Sequence, residues 1–501
     1  MREKIFKFFY QYKLQFTLAG FCLGIFLHSC FALNTLTSNI TIVLATLLFL
    51  LWLIILRFKK IKPFLYAFIA IILGVWRFDI AIPANINTAT QDCIQARVIS
   101  VTRSDYNYRI RLKVQDENYL RVNSIITAYI GRNPPIGSLI EFTCIPKIFA
   151  DDDQSAYEKA RFFHYSQANC SIKEYKIIKQ PNIFDIRQKL FDWRNFLTRR
   201  IQGALPGDYG ILAAGILYGE RGMSDQADET FRKAGLTHII AVSGSNITIL
   251  VNIVFIVFMG LGLYRRQAFW LTIAAIIFFV AFVGFSASVV RAAIMGSLVL
   301  LSRHLGRLTN VWHLMLVSAA ILCLIDPWLL MFDAGFALSF LATLGLIAWT
   351  PLFQKFFNFL PKNFGIQEVV TTTLAANIMT IPYIAFIFSR MSLAGLITNL
   401  VVVPIVPYAM LFSGLAAIAG PNFLKPFSAM PAYGIMKIIF FASDIAEVFP
   451  WLDIHIKESN AYFLFATYAI LIKIWFTLSK KSSLSTRKEK ICLSVIDKST
   501  Y

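Results

Sequence analysis

Apolar runs long enough to cross a bilayer, about 20 residues each, recur along the chain at roughly 14 to 33, 39 to 56 and 63 to 78. They resume at 238 to 263, 268 to 286, 288 to 303, 312 to 325, 335 to 353, 367 to 389, 396 to 418, 430 to 449 and 461 to 479. Between the two groups the pattern turns polar and alternating. Residues 91 to 102, 105 to 114, 118 to 130, 138 to 148 and 170 to 178 read as five β-strands, a number that suits a small barrel of OB-like form. The stretch from Phe184 to Leu205 sets Phe184, Leu190, Phe191, Phe196 and Leu197 against Arg187, Lys189, Arg194, Arg199 and Arg200, the signature of a helix lying along a membrane surface. A short apolar segment, Ile211 to Tyr218, and a polar helix from about Ser224 to Gly235 follow.

The fold class expected is therefore a polytopic α-helical membrane protein of about 12 transmembrane helices with an inserted small β-barrel domain. Its expected parts are N-terminal transmembrane helices at 1–80, an OB-like β domain at 82–184, interfacial and linker helices at 185–235, a polytopic domain at 236–480 and a basic tail at 481–501. Composition agrees: hydrophobic residues make up 57% of the chain and charged residues 15%, with a mean hydropathy of +0.62. That balance excludes an ordinary soluble enzyme.

Charge fixes a direction. Arg2, Lys4, Lys7 and Lys13 precede the first span, and Arg57, Lys59, Lys60 and Lys62 follow the second. Arg265 and Arg266, Arg303 and Arg307, Lys355 and Lys362, and the tail from Lys480 to Lys490 fall on the same side. Basic loops remain cytoplasmic, so both termini are expected inside a plasma membrane and the β domain outside it. The formal net charge of +20 has two readings, membrane topology and attraction for nucleic acid. An exterior location permits oxidation, and Cys144 with Cys170 is the preferred disulfide pair, with unpaired thiols the other reading.

Candidate chemistry is sparse. Ala241-Val-Ser-Gly-Ser-Asn-Ile-Thr248 puts small and polar residues at membrane depth, which suits either a wet path through the bilayer or close helix packing. Arg291 and Asp333 are charges near one membrane face, open to pairing, to substrate contact or to simple helix-end roles. His238, Ser243, Gly244, Ser245, Asn246, Arg291, Asp333, Asn377 and Asn399 are the path candidates. In the β domain, Arg109, Arg111 and Lys113 alternate with apolar neighbours, forming a basic strand face that serves as a phosphate track or an ordinary solvated surface. No catalytic residue, metal site or cofactor is expected: the chain has six His without ligand spacing, no CxxC and no Walker GxxxxGK[ST] pattern.

Leu217-Tyr-Gly-Glu-Arg-Gly-Met-Ser224 and Phe231-Arg-Lys-Ala-Gly-Leu-Thr-His-Ile-Ile-Ala-Val-Ser-Gly244 resemble the hallmark segment of the ComEC competence channels. Ser288-Val-Val-Arg-Ala-Ala-Ile-Met295, Asp326-Pro327 with Phe332-Asp-Ala-Gly-Phe-Ala-Leu-Ser-Phe-Leu341, and Ser155-Ala-Tyr-Glu-Lys-Ala-Arg-Phe-Phe163 resemble further stretches of that family, so the likeness covers roughly residues 15 to 450. The resemblance implies a channel passing single-stranded DNA into the cytoplasm. The implied partners are an external DNA receptor, a cytosolic helicase or ATPase, membrane lipid and further copies of the chain. Two departures stand out. The metallo-β-lactamase-like domain of many members, with its HxHxDH motif, is not found before Tyr501, so a separate nuclease is implied; and Ser245-Asn246 occupy the region where the family often has His. The alternatives are a transporter or flippase for another anionic polymer or lipid, and a non-transporting membrane assembly protein.

Overall fold

The computed structural model describes residues 13–32, 62–81, 93–103, 108–115, 125–131, 134–143, 168–172, 174–180, 186–240, 242, 244–285, 287–306, 310–361, 365–418, 425–456 and 461–498. The chain divides into two compact units. The first comprises Met1–Ser224, Ile240–Phe336 and Ser413–Ala429, and the second Asp225–Ile239, Ala337–Phe412 and Met430–Tyr501. This division cuts across the stretch at 236–480 that the sequence presents as one domain. The predicted span at 39 to 56 lies outside the described residues.

In the first unit, α1 (Lys13–Ala32) and α2 (Lys62–Ala81) pack in parallel. A Cβ on Gly24 would stand 1.7 Å from the Ile71 carbonyl oxygen, so only a glycine permits the approach. At their far ends Arg77 of α2 donates to the carbonyl oxygens of Leu324 and Ile325, both at 2.8 Å. These oxygens end α10 (Val311–Ile325), where a helix leaves carbonyls unsatisfied and favours a cation. At the near ends Gln15 meets His313 at 3.0 Å. The three helices thus run in one direction.

The β insert forms one six-stranded sheet in the order β5-β3-β2-β1-β4-β6. Its strands are β1 (Cys93–Arg103), β2 (Tyr108–Val114), β3 (Ile125–Ile130), β4 (Leu139–Thr143), β5 (Ala168–Ser171) and β6 (Tyr175–Lys179). The last predicted strand is therefore two. Its first half runs parallel to β3 and its second half antiparallel to β4, so the chain passes from one edge of the sheet to the other between Ser171 and Tyr175. Alternation drives the core: Ile94, Ala96, Val98, Ile110, Leu112, Val114, Ile126, Ile140 and Phe142 are all buried together.

Helix α3 (Ile186–Ala204) fastens this sheet to the rest of the unit. Phe191 packs on the β core, and the Gln188 side-chain oxygen accepts the Ile136 N–H at 2.6 Å. Farther along, α3 packs against α4 (Asp208–Tyr218) and α8 (Arg265–Val283), with the Trp193 ring 5.7 Å from Phe278 and 5.4 Å from Phe282. The predicted span from His238 is broken: α6 (Thr237–Ile240) ends and α7 (Gly244–Gly260) begins four residues later. Helices α9 (Ala287–His304), α10 and the short α11 (Leu329–Phe332) also belong to the unit.

The second unit contains α5 (Asp225–Lys233), α13 (Ile366–Phe388), α16 (Ala461–Lys498) and most of α12 (Ala334–Phe356), α14 (Ala394–Ile418) and α15 (Lys425–Val448), whose residues 334–336, 413–418 and 425–429 belong to the first unit, with a two-stranded ribbon of β7 (Arg390–Ser392) and β8 (Asp453–His455). Trp475 and Tyr468 of α16 donate to the carbonyl oxygens of Ala348 and Met379, at 2.9 and 2.8 Å. Among the described residues six helices are long and apolar enough to cross a membrane, and five shorter apolar helices accompany them.

Candidate functional site

The hallmark segment builds the first candidate region. Helix α4 stops at Gly219, whose positive φ of 77° lets its N–H return to the Gly215 carbonyl oxygen at 2.8 Å. The loop that follows is closed by Asp208, whose carboxylate accepts the Ser224 N–H at 3.0 Å and its hydroxyl at 2.6 Å. Above this turn lies the break between α6 and α7. A Cβ on Gly219 would meet Val242 at 3.2 Å, and one on Gly215 would meet Ile240 at 3.2 Å. The absence of side chains at Gly215 and Gly219 thus lets Ile240 and Val242 lie close against the end of α4.

Arg291 of α9 is buried, and its guanidinium lies against the first residue of α7: a Cβ on Gly244 would stand 3.1 Å from Arg291 Nη2. Asn246, in the first turn of α7, is buried and donates to the Ile216 carbonyl oxygen of α4 at 2.9 Å. The polarity of Asn246 thus joins α7 to α4. Leaving that amide unpaired at this depth would cost roughly 1–3 kcal/mol. Ser243 lies outside the described residues, and so does the side chain of Ser245.

Other predicted path residues take separate places. Asp333 accepts the Phe336 N–H at 2.5 Å and so caps the start of α12, a helix-end role. In the second unit, His238 is exposed with its Nδ1 3.0 Å from the Gly235 carbonyl oxygen. Asn377 is half-buried and donates to Thr373 of its own helix at 2.9 Å, while Asn399 is buried in α14. Of the disulfide candidates, Cys144 and the side chain of Cys170 lie outside the described residues, whereas Cys22 and Cys323 are free thiols. Among the described residues no cluster of three or more His, Cys, Asp or Glu is placed to hold a metal ion.

Two polar centres escape the sequence reading. Arg194 of α3 binds Glu220 at 2.8 Å and donates to the carbonyl oxygens of Gly219 at 3.3 Å and Val283 at 3.5 Å. Its guanidinium also lies 5.7 Å from the centre of the Tyr218 ring. One side chain thereby ties α3, the end of α4 and the end of α8. A signal was present: position 194 falls in the helical stripe of Phe191, Leu197 and Ile201, where a charge requires a partner.

The second centre holds α5. Arg390 grips Asp453 with two bonds, of 2.7 and 2.5 Å, and reaches Glu229 at 3.0 Å. The Arg390 guanidinium holds the Glu229 carboxyl below its ordinary value and is itself raised by Asp453. Thr230 donates to Glu447 at 2.6 Å, Ser392 to the Lys233 carbonyl oxygen at 2.5 Å and Thr398 to that of Ala234 at 2.8 Å. Nothing local in the sequence joins positions 229, 390 and 453.

The second candidate region is the outer face of the sheet. Ile110, Leu112 and Val114 of β2 point inward, while Arg111 is half-buried on the other face and Lys113 exposed. Register places Arg97 of β1 opposite Lys113, and Tyr129 of β3 opposite Arg109, whose side chain lies outside the described residues. Arg97 and Tyr129 are exposed. Among the described residues the nearest carboxylate by register is Glu141, which accepts from Gln95 at 3.2 Å.

Apolar helices of spanning length, joined to a β insert that turns a basic face to solvent, define a multi-pass membrane protein. The chain belongs to the Competence protein family, which matches residues 216–481, more than half its length, and bears out the ComEC likeness of its motifs. It is 23% identical over 309 residues to ComE operon protein 3 of Bacillus subtilis (strain 168), an alignment covering 62% of this chain and 36% of that protein. The chain thus spans about a third of the length of that curated relative. No solved structure matches it significantly.

Proposed function

We propose that the chain forms the membrane channel through which single-stranded DNA is taken up during natural transformation. The observation that carries this reading is the face of β1, β2 and β3, where Arg97, Arg111 and Lys113 are gathered beside the exposed ring of Tyr129. Cations two residues apart on a strand repeat every ~6.6 Å, a spacing close to that of extended phosphates, and an adjacent aromatic ring offers a stacking surface for bases. A connectivity in which a broken last strand pairs at both edges of the sheet supports an OB-like reading of the insert.

The strand then reaches the α6/α7 break. A cation beside the positive end of a helix is repelled there, and an arriving phosphate relieves that repulsion while satisfying helix N–H groups. Arg291 and the N-terminus of α7 form such a pair. About 12 spans, cytoplasmic termini and an exterior β domain complete the arrangement. The shared direction of α1, α2 and α10 and the pairing of β7 with β8 support that sidedness, because each joins ends assigned to one side by the basic loops. No catalytic role is assigned to any residue. The external receptor, the cytosolic helicase, a separate nuclease and further copies of the chain are partners that this reading requires of the cell.

The test uses the full chain in detergent or nanodiscs. Reversing charge at Arg97, Arg111 and Lys113 weakens binding of labelled single-stranded DNA and flattens its salt dependence by roughly one unit of log–log slope per lost phosphate contact. Unchanged affinity and slope would refute this face as the collecting surface.

A further inference from the structure

The exposed side of α3 carries a feature that DNA uptake does not use. Trp193 is 46% exposed and Phe196 51% exposed, and Lys189 and Arg199 are exposed on the same arc. The Arg200 guanidinium lies over the Phe196 ring, 5.1 Å from its centre, and donates to the Ala417 carbonyl oxygen at 3.4 Å. The acidic residue on this arc, Asp192, accepts from Gln188 at 2.7 Å. Three cations therefore share one arc of the helix with two aromatic rings.

The level of this arc in the membrane follows from its neighbours. Trp193 touches Phe278, whose own surface is exposed on the side of a membrane-spanning helix. Phe278 is five residues from Val283, the end of α8, which is about 7.5 Å along the axis. Arg194 meanwhile donates to Val283 itself. Helix α3 thus crosses the end of a span at the depth where acyl chains give way to headgroups, the ordinary level of interfacial aromatic rings.

We propose that the Lys189–Phe196–Arg199–Arg200 arc of α3 is a binding site for the headgroup of an anionic phospholipid, with its acyl chains laid over Trp193 and Phe196. The cations face the lipid phosphate, and the rings fill the space beneath it. Because Arg194 on the opposite side of the same helix holds Gly219 and Glu220, an occupied site steadies the turn on which the α6/α7 break rests. The proposal stands on the membrane reading alone, whatever the cargo.

Native mass spectrometry of the full chain, delipidated and returned to an equal mixture of phosphatidylglycerol and phosphatidylcholine, tests it. Wild type retains phosphatidylglycerol preferentially, and Lys189→Gln with Arg199→Gln lowers that retention roughly fivefold for each charge removed. Lys189→Arg retains it, as does Lys176→Gln on β6. Millimolar inorganic phosphate leaves the bound lipid in place. Equal retention of both lipids by wild type, an undiminished signal in the double variant, or displacement by inorganic phosphate would overturn the proposal.

Discussion

Replacing Gly235 by Ala probes how α5 is seated. The residue has φ of +67°, and a Cβ there would stand 2.9 Å from Gly395 Cα and 3.3 Å from both Gly395 N and Ser392 Oγ. Ordinary carbon contacts begin near 3.5 Å, so two backbones must separate by about half an ångström. Left-handed geometry costs a side-chain-bearing residue about 1 kcal/mol, and forced overpacking adds about 1–3 kcal/mol. The displacement also stretches the flanking bonds from Ser392 to Lys233 and from Thr398 to Ala234. The expected loss is about 2–4 kcal/mol. Gly203→Ala is the matched control, because Gly203 is helical and nothing lies within 4 Å of its would-be Cβ; there the change is neutral or stabilising by up to about 1 kcal/mol. Thermal unfolding in detergent, with proteolysis of the 225–239 segment as a local readout, separates the two. Equal behaviour of Gly235→Ala and Gly203→Ala would refute the close seating of α5 on α14.

Glu229→Gln removes one anchor of α5, and since Glu229 is 41% exposed the loss is at most about 1 kcal/mol. Its folded pKa is depressed by Arg390, so the stability gap between wild type and Glu229→Gln is full above its ordinary 4.5. The gap closes as pH falls through the lower folded value; a gap independent of pH between 3 and 7 would contradict this pairing. Arg194→Lys keeps the charge and loses the fork that reaches both Glu220 and the Gly219 carbonyl. Trypsin should then cleave faster after the exposed Arg221, and an unchanged rate would remove Arg194 from the control of that turn. Asn246→Leu strands the Ile216 carbonyl oxygen and should lower stability by about 1–3 kcal/mol, read as a fall in unfolding temperature; an unaltered temperature would refute the bond.

How much of this was legible depends on whether the information is local. Alternation of Ile110, Leu112 and Val114 with Arg111 and Lys113 announces β2 and its two faces, because side-chain direction in a strand repeats every two residues. The run at 170 to 178 alternates equally well, yet it is two strands with different partners, and a change of partner leaves no mark on alternation. The break after Ile240 was visible in Ser243, Gly244 and Asn246, since such residues at membrane depth interrupt an otherwise apolar run. Their directions were not visible: Asn246 turns to α4, because a carbonyl 30 residues earlier in the chain lies within its reach. Arg390, Glu229 and Asp453 meet only through folding, at separations of 161 and 63 residues. Arg390 and Asp453 are unremarkable charges near the ends of apolar runs until the ribbon of β7 and β8 pairs them, and Glu229 is one of several charges on a polar helix.

The central claim, inward passage of single-stranded DNA, meets its most direct test in competent cells of the source organism that carry a deletion of this chain. Labelled DNA should still bind outside, while the nuclease-protected internal strand disappears and returns on complementation with wild type. A protected internal strand at wild-type level in the deletion would contradict it.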